Sequence, residues 1–290
     1  MNLFVLFGQT ATGKTSKALE LVDQYNGEII NFDSRQIYKK LDIVTGKDRP
    51  TDPKYKIWLY DLVDPKDAYS SAEYVHVAEQ TLGEVISRGK TPILVGGTGF
   101  YLYHLLYGTP QISVPENWPL RKELGNKSVI ELTELLKQKN SALFDEMNES
   151  DRMNPRRLIR RIEIAYAGGS LAPKATTVTL PSRLANLGGL QGEVEIKYVP
   201  FFHTDSEKTR EIIRARIMAR LDAGAIEETQ RLLSEGYKPT DPGLNAIGYQ
   251  QIISYINDEC TKEQMIELWL TREIQYAKRQ KTFFKKYFTL

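Results

Sequence analysis

The residues with the clearest chemical potential open the chain, in the octapeptide GQTATGKT at residues 8–15. It fits the phosphate-binding pattern G-x-x-x-x-G-K-[ST]. Gly8 and Gly13 allow backbone turns in which consecutive N–H groups point at an anion. Lys14 supplies a full positive charge for a terminal phosphate, and Thr15 supplies a hydroxyl suited to Mg²⁺. The spacing therefore predicts a polyphosphate site.

The segments on either side of this loop are the ones that such a site needs. Residues 3–7 (LFVLF) form a short, fully apolar run of the kind buried in a parallel sheet. After the loop, Ala18, Leu21 and Val22 recur at helical spacing, and the start of a helix adds partial positive charge. The alternative interpretation, a glycine-rich turn with a surface lysine, leaves the buried strand unexplained.

A carboxylate follows the next predicted strand. Asp33 comes just after the apolar pair Ile29 and Ile30, at the edge of the sheet that carries the loop. It could hold Mg²⁺ through water, cap the following helix or accept a proton from a nucleophile, and Ser34 is an equally good cap. The residues alone leave these roles open. Lys47 is either a second cation for phosphates or a solvated loop lysine.

A third predicted strand ends beside a hydroxyl. Residues 92–95 (PILV) are predicted to form a buried strand, and glycines at positions 96, 97 and 99 surround Thr98. Thr98 should therefore face the same cleft. His104, further along, is expected to be an ordinary surface or core residue, not a ligand. The apolar residues predicted to pack in the core here are Tyr101, Leu102, Leu105 and Leu106.

Composition limits the class of protein. The 290 residues are 41% hydrophobic and 26% charged, with a net charge of +2, which is typical of a soluble globular protein. The single cysteine, Cys260, excludes an internal disulfide and a cysteine-based zinc site. No apolar run approaches the roughly 20 residues of a membrane span, and the immediate strand leaves no room for a signal peptide. We therefore expect a cytoplasmic protein without membrane contact.

Two predicted helices are rich in basic residues. In NPRRLIRRIEIAY, residues 154–166, the arginines at 156, 157, 160 and 161 lie largely off an apolar face formed by Leu158, Ile159, Ile162 and Tyr166. Such a patch suits a phosphate backbone, and the alternative is a solvated helix face. The last helix, 262–288, interleaves basic and aromatic residues, which favours RNA over a generic acidic partner.

The order of the elements predicts an α/β fold, with a parallel sheet core of the P-loop NTPase type, helices on both faces and a helical insertion domain. Residues 1–110 form the first part of the core. Residues 111–168 form the insertion, with helices at 120–124, 129–139 and 155–166. Residues 169–192 are low in charge and rich in glycine, serine and threonine, which predicts a mobile loop. Residues 193–290 complete the core with the strand EIKYVPFF and helices at 207–223, 227–234, 244–256 and 262–288.

Seven motifs in the same order resemble the tRNA dimethylallyltransferases, the isopentenyl transferases that modify the adenosine just 3′ of the anticodon. The family's GPTASGKT is GQTATGKT here, its DSxxIYKGMDIGTAKP is DSRQIYKKLDIVTGKD, and its DxxDPxxxYSAADF is DLVDPKDAYSSAEY. GKTPILVGGTGFY is close to unaltered, and NDxxRxIRALEVY is NPRRLIRRIEIAY. AIGYxE is AIGYQQ, and TRxYAKRQxTWF is TREIQYAKRQKTFF. Collinear motifs over most of the chain are far more specific than the phosphate loop alone.

The resemblance implies prenyl transfer to tRNA. Dimethylallyl diphosphate would bind with Mg²⁺ on Thr15, the exocyclic amine of the adenine would attack the allylic carbon, and pyrophosphate would leave. Asp33 would accept the amine proton, with Thr98 at the reacting centre and Arg216 beside the phosphates. The diphosphate-binding residues that the resemblance implies are Gly8, Thr10, Ala11, Thr12, Gly13, Lys14 and Thr15.

The resemblance also implies a bound anticodon stem-loop, with the target base extruded from its stack. The protein is expected to act as a monomer. The implied tRNA-binding residues are Asp33, Ser34, Arg35, Gln36, Thr98, Arg121, Arg156, Arg157, Arg160, Gly248, Tyr249, Lys278 and Arg279.

Several positions depart from the family pattern. Gln9 replaces a proline in the loop, from which we expect little effect. The family has two spaced arginines after the last strand, of which Arg216 matches the second. Ile212 occupies the first position, and Arg214 is a neighbour that could compensate. Phe284 stands where the family has tryptophan.

Three rival functions remain open at this level. A P-loop kinase of nucleosides or nucleotides would explain the loop and Asp33, but not two separate basic helices. An adenylate isopentenyltransferase acting on free nucleotides would have no need of a helical insertion. The third rival is a non-catalytic RNA-binding protein that uses a nucleotide only as a switch.

Overall fold

In a computed structural model of the chain, the described residues are 1–108, 114, 116–168 and 194–288. The predicted loop 169–192 lies outside them. The chain divides into two compact units. The core unit comprises Met1–Leu106 and Thr179–Leu290, and the helical unit comprises Tyr107–Val178.

The core unit is built on a parallel sheet of five described strands, β1 (Asn2–Gly8), β2 (Gly27–Asn31), β3 (Ile57–Trp58), β4 (Thr91–Gly96) and β5 (Glu195–Phe201). Their order across the sheet is β3-β2-β4-β1-β5. Val5 in β1 is in register with Leu94 on one side and Tyr198 on the other. Because β1 and β4 are neighbours, the two glycine-rich loops that follow them lie at the same edge of the sheet. That edge is where open parallel sheets bind ligands.

The helices of the core unit are α1 (Lys14–Tyr25), α2 (Ser71–Ser87), α3 (Gly99–Tyr107), α8 (Ser206–Asp222), α9 (Ala225–Ser234), α10 (Tyr249–Ile256) and α11 (Lys262–Tyr287). The helices numbered between α3 and α8 belong to the helical unit. The helices predicted at 207–223, 227–234 and 262–288 correspond to α8, α9 and α11. The start of α2 is fixed by a capping box, in which Ser70 and Glu73 satisfy each other's backbone N–H groups.

Helices cover both faces of the sheet. Ala18, Leu21 and Val22 of α1 pack against one face, where Leu6 and Ile93 lie. Side chains alternate along a strand, so Phe7 points to the opposite face. There its ring lies 4.9 Å from that of Phe284 and 5.4 Å from that of Phe288, at the end of α11. Phe284 is completely buried, so the phenylalanine at the family's tryptophan position serves as a core residue.

The predicted helix 244–256 was too long. The helix begins only at Tyr249, because Gly248 adopts a φ of 103°. A side chain at Gly248 would also lie within 2.7 Å of the indole of Trp269. Residues 244–248 therefore form an irregular segment before α10. Strand β3 ends at Trp58, since Leu59 has a φ of 67°.

The helical unit packs around its own core, to which its last described helix contributes Leu158, Ile159 and Ile162. The described helices are α4 (Trp118–Leu124), α5 (Val129–Asp145), α6 (Glu149–Arg152) and α7 (Pro155–Tyr166). Leu158, Ile159 and Ile162 are buried as predicted, but Tyr166 is 49% exposed and lies outside the core. The predicted helix 129–139 ends where α5 is interrupted by the non-helical residue Asn140, and the prediction missed the helical turn that follows and α6.

No helix in the described ranges has the length and apolar character needed to cross a membrane.

Candidate active site

A cavity of about 630 Å³ opens at the carboxyl edge of the sheet, within the core unit. This volume lies within the usual range for small-molecule sites. It brings together segments that are far apart in the sequence. The predicted residues that line it are Thr10, Ala11, Thr12, Gly13, Lys14, Thr15, Asp33, Arg35, Gln36, Arg216 and Arg279. The phosphate loop and Asp33 thus share one cavity.

The phosphate loop has the geometry of an anion-binding turn. Gly13 precedes α1 with a φ of 80° and has no side chain to cap the helix. The amide N–H groups of the first turn are therefore available to a ligand. Gly8 has a different role and does not line the cavity. A side chain there would collide with the Phe201 carbonyl oxygen at 1.9 Å, so glycine lets the end of β5 approach, where Phe201 accepts a hydrogen bond from the Gln9 amide.

Lys14, Arg216 and Arg220 are three of the five basic residues that line the cavity. Burial, followed by the charge of Arg216, lowers the pKa of Lys14 to about 8. Burial and the same neighbour lower the pKa of Arg220 to about 10. The Arg216 guanidinium donates to the Thr10 hydroxyl at 2.7 Å, which places it beside the phosphate loop. Arg220 also pairs with the buried Glu273 at 3.2 Å. Because Arg216 lowers the pKa values of both Lys14 and Arg220, these cations repel one another, and an anionic ligand between them would relieve that repulsion.

Asp33 stabilises a turn and also lines the cavity. Its Oδ1 atom accepts a hydrogen bond from the Arg35 amide at 2.9 Å, so it stabilises the turn after β2. Its own amide donates to the Asn31 side chain at 3.1 Å. The carboxylate also lines the cavity. This turn holds a negatively charged group at a fixed position, where a proton acceptor for a bound nucleophile would be needed.

Thr98 stands just behind the cavity wall. The Ser34 amide donates to its hydroxyl oxygen at 2.9 Å, and the Thr98 hydroxyl donates to the Ser34 hydroxyl at 3.1 Å. Neither residue lines the cavity, but Thr98 also hydrogen-bonds the side chain of Tyr276, which does. Burial raises the pKa of Tyr276, which keeps its hydroxyl neutral. Ser34 and Thr98, which the sequence predicted to contact a ligand, thus reach the cavity wall through Tyr276 and do not line the cavity themselves.

Helix α11 is hydrogen-bonded to the two glycine-rich loops that follow β1 and β4. The Gln280 side chain donates to the Gly97 carbonyl oxygen and accepts from the Thr10 amide, both at 2.9 Å. Gln9 donates to the Ala277 carbonyl oxygen at 3.0 Å and accepts from the His203 amide at 2.8 Å. The expectation that Gln9 has little effect was wrong, because its buried side chain joins the phosphate loop to α11 and to the end of β5.

Thr15 and Asp48 form a pair at the rim of the phosphate loop. The Thr15 hydroxyl donates to Asp48 Oδ2 at 3.0 Å, and both residues line the cavity. A hydroxyl and a carboxylate are oxygen donors of the kind that Mg²⁺ prefers.

Lys47 is neither a phosphate ligand nor a solvated lysine, so both interpretations of it were wrong. Its side chain is fully buried and forms ion pairs with Asp42 at 2.9 Å and Asp61 at 2.6 Å. It also donates to the Tyr38 carbonyl oxygen at 2.6 Å. The turn that contains Lys47 is thereby fixed from the inside.

The chemistry of this cavity agrees with comparisons to known proteins. The family model described as IPP transferase matches residues 36–287. The chain belongs to the IPP transferase family. The tRNA dimethylallyltransferase of Endomicrobium trichonymphae is 36% identical over 98% of this chain and 92% of its own length. That of an Exiguobacterium species is 34% identical over 98% of this chain and 87% of its own length.

Solved structures of this IPP transferase fold agree with the architecture. The tRNA delta(2)-isopentenylpyrophosphate transferase of Staphylococcus epidermidis is similar with a TM-score of 0.66 and 27% identity, over all of this chain and 91% of its own. A eukaryotic dimethylallyltransferase acting on tRNA gives a TM-score of 0.77 at 23% identity, over 98% of this chain and 69% of its own. The latter similarity supports the fold alone.

Two residues of the family's AIGY motif have structural roles here, so their prediction as tRNA ligands needs correction. The Tyr249 side chain is completely buried, and its hydroxyl donates to Glu228 at 2.6 Å. Gly248 permits close packing against Trp269. The buried Glu228 also accepts from the amides of residues 42, 43 and 44, and so shapes a turn beside the cavity. Ala246 and Ile247 of the same motif do line the cavity.

Arg216, and not Arg214, is the arginine that lies beside the phosphate loop of this IPP transferase. Arg214 is half-exposed and pairs with Glu267, as does Arg210. It does not line the cavity, so it does not compensate for the family arginine that Ile212 replaces. Arg216, four positions beyond Ile212, faces the phosphate loop. Ile212 itself lines the cavity as an apolar residue.

The arginines of the helical unit are only partly available. The buried Glu163 accepts two hydrogen bonds from Arg121, at 2.7 and 2.9 Å, and one from Arg160 at 3.0 Å. Against the opposing effect of burial, hydrogen bonds from Arg121, the Asn117 amide and Arg160 hold the pKa of Glu163 below its usual value. Arg157 pairs with Asp151. Arg156 is exposed and forms no ion pair within the described part of the chain.

Sequence reasoning missed several residues of the cavity wall. Arg220 could have been found, because it lies one helical turn after Arg216 and so shares its face. Asp48 gave no signal, since an acid in a loop has many ordinary explanations. Tyr60 and Gln280 reach the cavity only through tertiary packing. The unpredicted residues that line it include Asp48, Tyr60, Arg220, Ala246, Ile247, Glu273, Tyr276 and Gln280.

Proposed function

We infer that this chain transfers a dimethylallyl group from dimethylallyl diphosphate to the exocyclic amine of the adenosine 3′-adjacent to the anticodon in tRNA. The observation that carries this inference is a single cavity lined by the phosphate loop, Asp33 and residues of the basic helix α11. The curated relatives named tRNA dimethylallyltransferase, matched over nearly the whole chain, support the acceptor.

The phosphate end of the cavity suits the leaving group. As the amine nitrogen bonds to the allylic carbon, the carbon–oxygen bond breaks and pyrophosphate leaves with that electron pair. The loop N–H groups, Lys14 and Arg216 would stabilise the charge that develops on it. Mg²⁺ is a proposal of the same kind: Thr15 would hold it, and it would supply positive charge to the diphosphate oxygens.

The part of the cavity that Asp33 lines suits the nucleophile. An aromatic amine is a weak nucleophile that must lose a proton as it bonds to carbon. Asp33, already fixed by the Arg35 amide, would accept that proton. Arg35 and Gln36 line the cavity beside it and would hold the extruded base, with Arg279 at the side of α11.

The anticodon stem-loop would also contact basic residues outside the cavity. Lys278 is exposed on α11 next to Arg279, and Arg156 and Arg157 are exposed on α7. We further propose that the protein acts as a monomer, because a single chain provides the phosphate loop, the carboxylate and the basic helix. Sedimentation of the protein alone and with tRNA would test this.

The decisive experiment is mass spectrometry of nucleosides from tRNA incubated with the protein, Mg²⁺ and dimethylallyl diphosphate. We expect an adenosine heavier by one dimethylallyl group in place of hydrogen. Transfer to AMP but not to tRNA would instead identify an adenylate isopentenyltransferase, and phosphate transfer from labelled ATP would identify a kinase. Tight tRNA binding without transfer of a dimethylallyl or phosphate group would indicate a non-catalytic RNA-binding protein that uses a nucleotide only as a switch.

Asp33→Asn separates chemistry from binding. It removes the proton acceptor but keeps the shape and an oxygen for the Arg35 amide. We expect prenyl transfer to fall by about two to four orders of magnitude, with tRNA affinity within a few-fold of wild type. Activity that survives within a few-fold would show that Asp33 is not the base.

A further inference from the structure

Asp48 is a carboxylate directed at a site that should bind a highly charged anion. Its Oδ2 atom accepts the Thr15 hydroxyl hydrogen bond at 3.0 Å, and it forms no ion pair with any residue in the described ranges. It nonetheless acts electrostatically on Lys14, Arg220 and Tyr60, all of which line the cavity. Asp48 therefore faces the same space as the phosphate loop.

A carboxylate in this position should weaken the binding of a diphosphate. Like charges repel, and the nearby cations are needed by the ligand itself. The repulsion becomes an attraction if a divalent cation accompanies the diphosphate, because the metal is then shared by both anions. The pairing of Asp48 with a hydroxyl of the phosphate loop points to that arrangement.

We propose that Asp48 is a positioning residue for the Mg²⁺ that accompanies the diphosphate, a proposal that rests on the proposed function. Its carboxylate accepts the hydrogen bond that the Thr15 hydroxyl donates, which leaves the lone pairs of the hydroxyl oxygen for the metal. Its negative charge adds to the attraction for the cation. The family motif DSxxIYKGMDIGTAKP has proline at this position, so the carboxylate is a feature of this chain.

The segment around Asp48 is built to hold it in place. Lys47 is fixed on the inner side by Asp42, Asp61 and the Tyr38 carbonyl oxygen. The Gln36 side chain donates to the Gly46 carbonyl oxygen at 2.8 Å. With the preceding residues anchored in this way, Asp48 stays at the cavity while its neighbour Lys47 is buried.

The test compares Asp48→Asn with Asp52→Asn, which removes the same charge from an exposed acid of the same loop that does not line the cavity. Mn²⁺ binding to the complex of protein and inorganic pyrophosphate is followed by electron paramagnetic resonance. We expect Asp48→Asn to weaken Mn²⁺ binding by tenfold or more and Asp52→Asn to change it by less than twofold. Mn²⁺ affinity within twofold of wild type in Asp48→Asn would overturn the proposal.

Calorimetry with pyrophosphate in EDTA and in Mg²⁺ separates a metal role from a purely structural one. Without metal, Asp48→Asn should bind pyrophosphate as tightly as wild type or more tightly, because a like charge is gone. With Mg²⁺, it should bind less tightly. An equal loss of affinity in both buffers would mean that Asp48 only supports the loop, and would contradict the proposal.

Thr15→Val provides a second variant. If both residues act through one metal, the double variant should lose little more Mn²⁺ affinity than either single variant. Additive losses would contradict this. These measurements need no prenyl transfer. If wild-type protein fails the nucleoside assay, the proposed function is wrong, but the Mn²⁺ result is unaffected. If Asp48→Asn binds Mn²⁺ like wild type, the role of Asp48 is wrong, but the proposed function is unaffected.

Discussion

The Thr10 amide donates to the Gln280 side chain at 2.9 Å although the two residues are 270 positions apart in the chain. Gln280 is buried, and its amide nitrogen binds the Gly97 carbonyl oxygen. One side chain from the last helix thus fixes the distance between the phosphate loop and the loop after β4. The C-terminal helix is therefore part of the active-site scaffold as well as a basic surface.

The first prediction concerns this bridge. Gln280→Ala leaves the partly buried Thr10 amide and the buried Gly97 carbonyl without this partner, which should lower the free energy of unfolding by about 2–4 kcal/mol. It should also weaken pyrophosphate binding, since the loop loses its anchor. Urea denaturation and calorimetry check both effects. Gln275→Ala, at an exposed position of the same helix, is the control and should stay within about 0.5 kcal/mol of wild type.

The second prediction distinguishes Arg216 from Arg214. Arg216→Gln removes a cation that faces the phosphate loop and should reduce kcat/KM for dimethylallyl diphosphate by about two to three orders of magnitude. Arg214→Gln breaks only an exposed ion pair with Glu267 and should leave kcat/KM within about twofold. Steady-state assays of both variants measure kcat/KM for dimethylallyl diphosphate. A loss at Arg214 comparable to that at Arg216 would contradict the geometry of the site.

The third prediction tests the corrected role of Tyr249. Tyr249→Phe keeps the buried ring and removes one of the hydrogen bonds that Glu228 accepts. Stability should fall by about 1–2 kcal/mol, while tRNA affinity should not change. Thermal denaturation and filter binding measure the two quantities. A tenfold loss of tRNA affinity at full stability would restore Tyr249 as an RNA ligand.

The fourth prediction separates RNA-binding from structural arginines of the helical unit. Arg156→Gln should weaken tRNA binding and reduce the slope of log affinity against log salt by about one, without loss of stability. Glu163→Gln should instead destabilise the unit by about 2–4 kcal/mol, because two arginines lose a buried carboxylate. Lys90→Gln, just before β4 and thus at the opposite edge of the sheet from the cavity, is the control for binding.

The fifth prediction concerns pH. Burial lowers the pKa of His104 to about 4 from an ordinary value of 6.5, and its Nδ1 atom lies 2.8 Å from the Ser71 hydroxyl. Between these two pH values, the unfolded chain binds the proton and the folded chain does not, so stability falls as pH decreases through this window. His104→Gln should lose less stability than wild type between pH 7 and pH 5, by about 2 kcal/mol.

Urea denaturation at both pH values measures that difference. Carboxylates that titrate in the same range contribute equally to both proteins and cancel. His76→Gln, at an exposed position of α2, should keep the wild-type pH dependence. An unchanged pH dependence in His104→Gln would show that the folded chain can protonate this histidine readily.

The sequence alone determined those features that depend on local chemistry. Glycine spacing, an apolar run and a helical repeat suffice for the strand, loop and helix of residues 2–25. The end of a parallel strand places Asp33 at the same edge as this loop, whatever the rest of the chain does. Collinear motifs then indicated the family, and the family model and the relatives confirmed it.

Tertiary structure alone decided which partner each polar side chain meets. Lys47 and Asp48 are adjacent loop residues, yet one is buried in an ion-pair network and the other faces the cavity. Tyr249 belongs to a motif expected to touch RNA, but it packs inside the protein. The physical reason is that burial and charge pairing depend on residues distant in sequence, such as Glu228 and Gln280. No local pattern encodes those distances, so the site's cations and carboxylates received their roles only when the chain folded.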